Sequence, residues 1–185
     1  MNSGRNRAEL EVLRRRERQE KVQDRKWVLR LFLGLLFLFF LMSRVFGIAV
    51  IQGNSMRPAL HSGDLVLYLR IYPKDLSYGD MVILHSPEDK DIVKRIVGLP
   101  GDVIEVKERG EVIRNSLQLV EPEVLYGNQS MEEWMRFPHT VPEGEFFYLG
   151  DNRPVSSDSR DKSHGTAKRN DIRGKVVAIL RIGDP

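Results

Sequence analysis

Three short stretches of the sequence hold residues able to carry covalent chemistry. The first is Ile51-Gln52-Gly53-Asn54-Ser55-Met56-Arg57-Pro58. Gly53 tolerates positive φ, Asn54 does so better than most residues, and Pro58 biases Arg57 towards extended geometry. The chain is therefore expected to leave a strand, turn sharply and present Ser55 at the strand end. That setting suits a nucleophile, although serine is also an ordinary turn residue.

The second stretch is Asp91-Ile92-Val93-Lys94-Arg95-Ile96-Val97-Gly98. Read as a strand, it puts Ile92, Lys94 and Ile96 on one face and Val93, Arg95 and Val97 on the other. Each face mixes apolar residues with one cation, so one of the two cations is expected to point at buried surface. Arginine keeps its charge, whereas a desolvated lysine can lose its proton and act as a base. The alternative is an edge strand whose cations deter aggregation. The third stretch, residues 150–160 (GDNRPVSSDSR), follows an apolar strand and carries two Asp, two Arg and three Ser. Bidentate carboxylate–guanidinium pairing would make it a structured loop. His61, His85, His139 and His164 have no distinctive setting, and no His-Glu-x-x-His spacing occurs.

These stretches need a scaffold, and the sequence outlines one. Residues 47–52, 64–70, 80–85, 91–97, 102–106, 146–149 and 175–182 read as strands, and Gly-Asp recurs before them as Gly63-Asp64, Gly79-Asp80 and Gly101-Asp102. The expected domain is all-β or mostly β. Residues 114–143 read as a long surface excursion with a short helix around residues 131–135.

The 185 residues contain no cysteine, so no disulfide framework or Cys/His zinc site is possible. Residues 1–30 hold ten Lys and Arg against five Asp and Glu, net +5, while the rest hold 19 against 21, net −2. The main domain is thus not basic, which argues against a nucleic-acid partner. After a charged segment, in which Glu17 and Lys21 are spaced for an ion pair on a solvated helix, comes the uncharged run LFLGLLFLFFLMS (31–43), bracketed by Arg30 and Arg44. It is apolar all round, unlike a surface helix, and no small-x-small cleavage site follows it. It reads as an uncleaved single-pass anchor in the lipid bilayer. The expected organisation is a cytoplasmic basic segment (1–26), a transmembrane anchor (27–44) and an extracytoplasmic domain (45–185), with the orientation set by the positive-inside rule.

Together these pieces resemble the type I signal peptidases, membrane-bound serine proteases that remove signal peptides from exported proteins, in the short single-anchor form of Gram-positive-type bacteria. The resemblance runs from the anchor to the C-terminus through four motifs in the family's order. Gly-Asn-Ser-Met-Arg-Pro-Ala-Leu (53–60) looks like the nucleophile box, implying Ser55 as nucleophile. Gly63-Asp64-Leu65-Val66 looks like the structural box after it. Val93 to Asp102 (VKRIVGLPGD) looks like the general-base box, implying Lys94. Residues 150–160 fit Gly-Asp-Asn-Arg-x-x-Ser-x-Asp-Ser-Arg, implying that Ser156 orients the lysine and that Asp158 and Arg160 brace the site, with Asp151 and Arg95 as further supports.

The resemblance further implies a complex antiparallel β fold of the signal-peptidase type and a location in the plasma membrane. Its substrates would be secreted preproteins cut after an Ala-x-Ala-like site, with the export translocon as a partner and no metal or cofactor. The substrate would add as a strand between residues 51–53 and 91–93, giving Ile51, Gln52, Gly53, Met56, Asp91 and Val93 as substrate-binding residues. Two positions depart from the pattern: Ala59 replaces a usual Thr, and Gly53 stands where Gram-negative-type members place a Ser that donates to the oxyanion. The second donor would then be a backbone N–H or a water. Two rival readings are a soluble self-cleaving Ser-Lys repressor protease, against which the anchor speaks, and a tethered β module that binds exported peptides without cutting them.

Overall fold

The Gly-Asp repeats turn out to be one device used three times. In His61–Asp64, Ser77–Asp80 and Leu99–Asp102 the last residue's N–H donates to the first residue's carbonyl at 3.0–3.2 Å. In each, the aspartate carboxylate also accepts the first residue's N–H, at 2.7–2.9 Å. The glycine at the third position has φ between +84° and +97°, the value a type II turn demands and a side chain resists. Each turn thus closes on itself and sends the chain into a strand.

The computed structural model describes residues 25–70 and 76–181. Helix α1 (Arg25–Val45) is exposed along the apolar run and, among the described residues, is the one helix long and apolar enough to cross a membrane. At ~1.5 Å per residue it is about 31 Å long, longer than the span expected from residue 27. The ion pair expected at Glu17 and Lys21, and nearly all of the basic segment, lie outside the described residues.

Residues 45–181 form a separate β unit. Its strands are β1 (Phe46–Val50), β2 (Leu65–Leu69), β3 (Met81–His85), β4 (Asp91–Gly98), β5 (Val103–Val106), β6 (Val112–Arg114), β7 (Leu117–Gln118), β8 (His139–Thr140), β9 (Glu145–Leu149), β10 (Ala167–Lys168) and β11 (Ile172–Leu180). Seven make one sheet in the order β1-β2-β11-β3-β4-β9-β10, and four make another in the order β7-β6-β5-β8. All strand pairs are antiparallel. The last strand therefore lies in the middle of the large sheet, between β2 and β3.

The mostly β expectation holds, with local corrections. The C-terminal strand starts at Ile172 rather than residue 175 and ends at Leu180; residues 182–185 lie outside the described residues. The excursion contributes β7, β8 and the end of β6. No helix forms around residues 131–135. The stretch is a turn, closed by Trp134 N–H on the Met131 carbonyl (3.1 Å), after which Met135 N–H donates to the Arg160 carbonyl (2.7 Å) and Trp134 bridges Asp161. Backbone pairing across to residues 160–161 takes the donors that a helix would use internally.

Three buried clusters support these elements. One holds Ile51, Met56, Leu60, Val66, Ile83 and Val176 beneath the turn that carries Ser55. A second packs Val82, Leu84, Ile96, Phe146 and Tyr148 along the large sheet. The third joins Val97, Phe147 and Leu149 of that sheet to Ile104, Val106 and Val112 of the small one, with Trp134 from the excursion.

Candidate active site

Ser55 lies in a turn pinned on both sides. Ile51 N–H donates to the Asp64 carbonyl (2.8 Å) and Gly63 N–H to the Ile51 carbonyl (2.9 Å), while Arg57 N–H reaches Asn54 (3.2 Å). Met56 and Leu60 anchor the turn in the core. Gly53, at φ +88°, supplies the bend. Ser55 is half-buried, and among the described residues neither its hydroxyl nor its N–H has a protein hydrogen-bond partner.

Lys94 comes from the middle of β4, which lies between β3 and β9, so the edge-strand alternative does not hold. Lys94 and Ile96 are buried on the same strand face, as the alternation required. The lysine is 3% exposed, and its Nζ donates to Ser156 Oγ at 2.9 Å. Burial pulls its pKa from 10.5 down to about 8; Asp158 and Asp151 oppose that shift and Arg160 adds to it. A half-buried Arg95 points the other way. Its Nε and Nη2 hold Asp151 bidentately at 2.8 and 2.6 Å, and Nη1 donates to the Gly79 carbonyl at 2.8 Å.

The loop 150–160 is indeed structured. Asp158 accepts Gly150 N–H (3.0 Å) and Arg160 Nε (2.7 Å) and Nη2 (2.9 Å). Arg160 Nη2 also reaches the carbonyls of Arg153 (2.8 Å) and Ser156 (3.2 Å). The loop docks on the Ser55 turn through Asn152, whose N–H donates to the Ser55 carbonyl (2.9 Å) and whose Nδ2 donates to that of Asn54 (3.0 Å). Gly150 permits this approach: a Cβ there would lie 2.2 Å from Ser156 Oγ and 2.5 Å from the Ser55 carbonyl oxygen.

Ser55 and Lys94 line one cleft of about 510 Å³ together with Asn54, Arg57, Ser86, Glu88, Asn152 and His164. A second cleft, of about 390 Å³, runs on the other side of Ser55 between β1 and the start of β4. It is lined by Ile51, Gln52, Gly53, Met56, Asp91 and Val93, together with Tyr68 and Ile83. The structure thus brings together every residue singled out for the substrate. Among the histidines, His164 lines the Lys94 cleft, 3.8 Å from Asp161. His61 and His139 lie away from it, and His85 faces Asp89 and Asp91 at 3.1 Å. Among the described residues no His, Asp and Glu cluster is arranged to hold a metal.

Sequence reasoning missed Asn152 and Arg153. Arg153 is fully buried, donating to the carbonyls of Gly150 (3.0 Å) and Gly110 and to Glu121 Oε1 (2.7 Å). The one available signal was a cation beside a proline inside a dense polar loop; its partners lie 32 and 43 residues upstream.

Comparison with known proteins identifies the family. A family model described as signal peptidase, peptidase S26 matches residues 24–181. Signal peptidase I P of Bacillus subtilis subsp. natto is 30% identical, over 86% of this chain and 90% of that protein. Signal peptidase I of Bacillus caldolyticus is 33% identical, over 86% and 91%. A crystal structure of a signal peptidase I from Enterococcus faecalis V583 aligns with 57% of this chain and 98% of its own, at 29% identity and a TM-score of 0.45. The family match covers most of the chain, which therefore belongs to the signal peptidases of the peptidase S26 family and is a serine peptidase.

Proposed function

We propose that the protein is a membrane-anchored signal peptidase in which Ser55 is the nucleophile and Lys94 the general base. The observation that carries this reading is a buried lysine, lowered to about pKa 8, in the same cleft as an unpartnered serine hydroxyl. Neutral Lys94 takes the Ser55 proton as the hydroxyl attacks the carbonyl of the last signal residue. The resulting ammonium gives that proton to the leaving nitrogen, and the regenerated neutral amine activates a water to hydrolyse the acyl-enzyme. A neutral amine has two N–H bonds and one lone pair. Donation of one N–H to Ser156 Oγ fixes the amine, so its lone pair is free to face Ser55.

The Ser55 N–H, free of a protein acceptor, is suited to hold the developing oxyanion. Gly53 supplies no side-chain donor, so the second donor is a backbone N–H or a water. The substrate lies extended in the cleft between β1 and β4, where Ile51, Met56, Ile83 and Val93 offer shallow apolar contacts for an Ala-x-Ala-like site. Secreted preproteins are the substrates. Helix α1 holds the chain in the plasma membrane with its N-terminus cytoplasmic and the β unit outside, near the export translocon. An anchor shared with the substrate's membrane raises the effective concentration of substrate.

Cleavage of a secretory precursor in liposomes by the wild type, Ser55→Ala and Lys94→Met tests this reading. Both variants should be inserted, folded and inactive. Activity in Lys94→Met would require another base, and His164 would be the first to examine. A wild type that binds the precursor without cutting it would instead make the protein a tethered binding module.

A further inference from the structure

The excursion, whose composition pointed to nothing beyond a surface loop, is stitched to the catalytic loop along its length. The Leu125 N–H donates to the Asp151 carbonyl (2.9 Å), and the Leu125 carbonyl accepts the Arg153 N–H (3.0 Å). Gln129 Oε1 accepts Arg160 Nη1. The Trp134 ring lies 5.1 Å from the Arg160 guanidinium carbon, and Met135 and Glu133 exchange backbone bonds with Arg160 and Lys162. Arg160 in turn holds Asp158 and the carbonyl of Ser156. We propose that residues 121–135 are a positioning element for the Ser156–Lys94 pair, with Trp134 and Gln129 acting through the Arg160 guanidinium.

The geometry explains why a loop remote in sequence would matter to the base. A cleft of about 470 Å³ opens on the far side of Ser156, lined by Gln129, Trp134, Ser156, Asp158 and Arg160. Ser156 and Asp158 are thus part of a thin wall between this cleft and Lys94. Trp134, 8% exposed, lies against the guanidinium that holds the wall. Without the indole, that cleft widens over Arg160 and Asp158, which are now 2% and 1% exposed, and the Ser156 backbone is held less firmly. The charged groups acting on Lys94 are Asp158, Arg160 and Asp151, and its cleft also carries Arg57, Glu88 and His164. Wetting the wall relieves part of the burial that favours the neutral form of Lys94. This inference rests on Lys94 being the base.

The test is the pH dependence of kcat and KM on a precursor, using the full chain in detergent, for the wild type, Trp134→Ala, Trp134→Phe and Gln129→Leu. Trp134→Ala should move the acidic limb up by about one unit, which cuts the neutral fraction of the lysine about ten-fold near neutral pH. Activity should return at alkaline pH, and KM should stay within about two-fold. Trp134→Phe keeps an aromatic face towards the cation and should recover most of the rate. Gln129→Leu keeps the volume, removes one acceptor and should shift the limb in the same direction by less; it serves if Trp134→Ala does not fold. An unshifted limb in the folded variants, with only lower Tm or uniformly lower kcat, would mean a merely structural role and overturn the proposal. Activity in Lys94→Met under the same conditions would instead overturn the assignment of the base.

Discussion

Lys94 Nζ and Ser156 Oγ meet at 2.9 Å although 62 residues separate them in the chain. The hydroxyl takes an N–H that would otherwise be free to wander, and it does so from a buried position. Ser156→Ala removes that restraint without removing the amine. We predict a loss of kcat of about 10²-fold, the scale of general-base misplacement, with little change in KM. In the wild type, kcat/KM should rise with pH through about 8, because only the neutral amine accepts a proton. A pH–rate profile checks both, and a limb near pH 6.5 would point to a histidine instead.

The same buried amine should cost stability. Its folded pKa of about 8 lies below the ordinary 10.5. Below pH 8 both folded and unfolded states are protonated and the penalty is complete, about 3 kcal/mol at ~1.4 kcal/mol per unit. Between 8 and 10.5 the unfolded state binds more protons, so stability rises with pH, and above 10.5 the penalty is gone. Lys94→Met should therefore melt at a higher temperature than the wild type near neutral pH, with the gap closing through that window. Thermal unfolding at several pH values decides it; a destabilised Lys94→Met at neutral pH would contradict the penalty.

Gly150→Ala should separate folding from catalysis. The new methyl would sit 2.2 Å from Ser156 Oγ and 2.5 Å from the Ser55 carbonyl oxygen, so both must move. A displacement near 1 Å between reacting groups costs about 10² in rate. We expect kcat to fall by at least that much, with cooperative unfolding retained. Wild-type turnover in this variant would show that the loop and the serine turn adjust without loss.

Arg95→Ala should be chiefly a stability mutation. It strands the Asp151 carboxylate, 1% exposed, whose bidentate partner Arg95 is the only ion pair it makes among the described residues. Breaking a buried pair from one side costs about 3–5 kcal/mol. Denaturant unfolding should show a loss in that range, and Arg95→Lys should restore only part of it because it cannot hold both oxygens.

Much of this arrangement was legible because it is local. Each Gly-Asp turn closes within four residues, so the glycines at 63, 79 and 101 marked strand starts reliably. Alternation along β4 showed that one of two adjacent cations must be buried. The order of strands was not legible, since it depends on which apolar faces meet after collapse. Nor were β7, β8 and β10, each of two residues and too short to show a period. Residues 131–135 looked helical because their composition permits it, and only the backbone of residues 160–161 redirects them. Arg153 escaped notice for the same reason, its worth lying in Glu121 and Gly110.

The place of β11 has a consequence for when the enzyme becomes competent during its own synthesis. Ser55 lies between β1 and β2 on one side of the sheet and Lys94 belongs to the β3–β4–β9 side, and the strand between them is made after both. Before residues 172–180 have emerged, the two sides lack the strand that pairs with both, and are joined through the Asn152 contacts to the Ser55 turn and the core packing of Ile83. We predict that a chain without this strand holds the Ser55 turn and β4 too loosely to cut precursor. A chain stopped before Ile172 should leave precursor uncut, and adding the missing strand as a separate peptide should restore cutting if that strand is all it lacks.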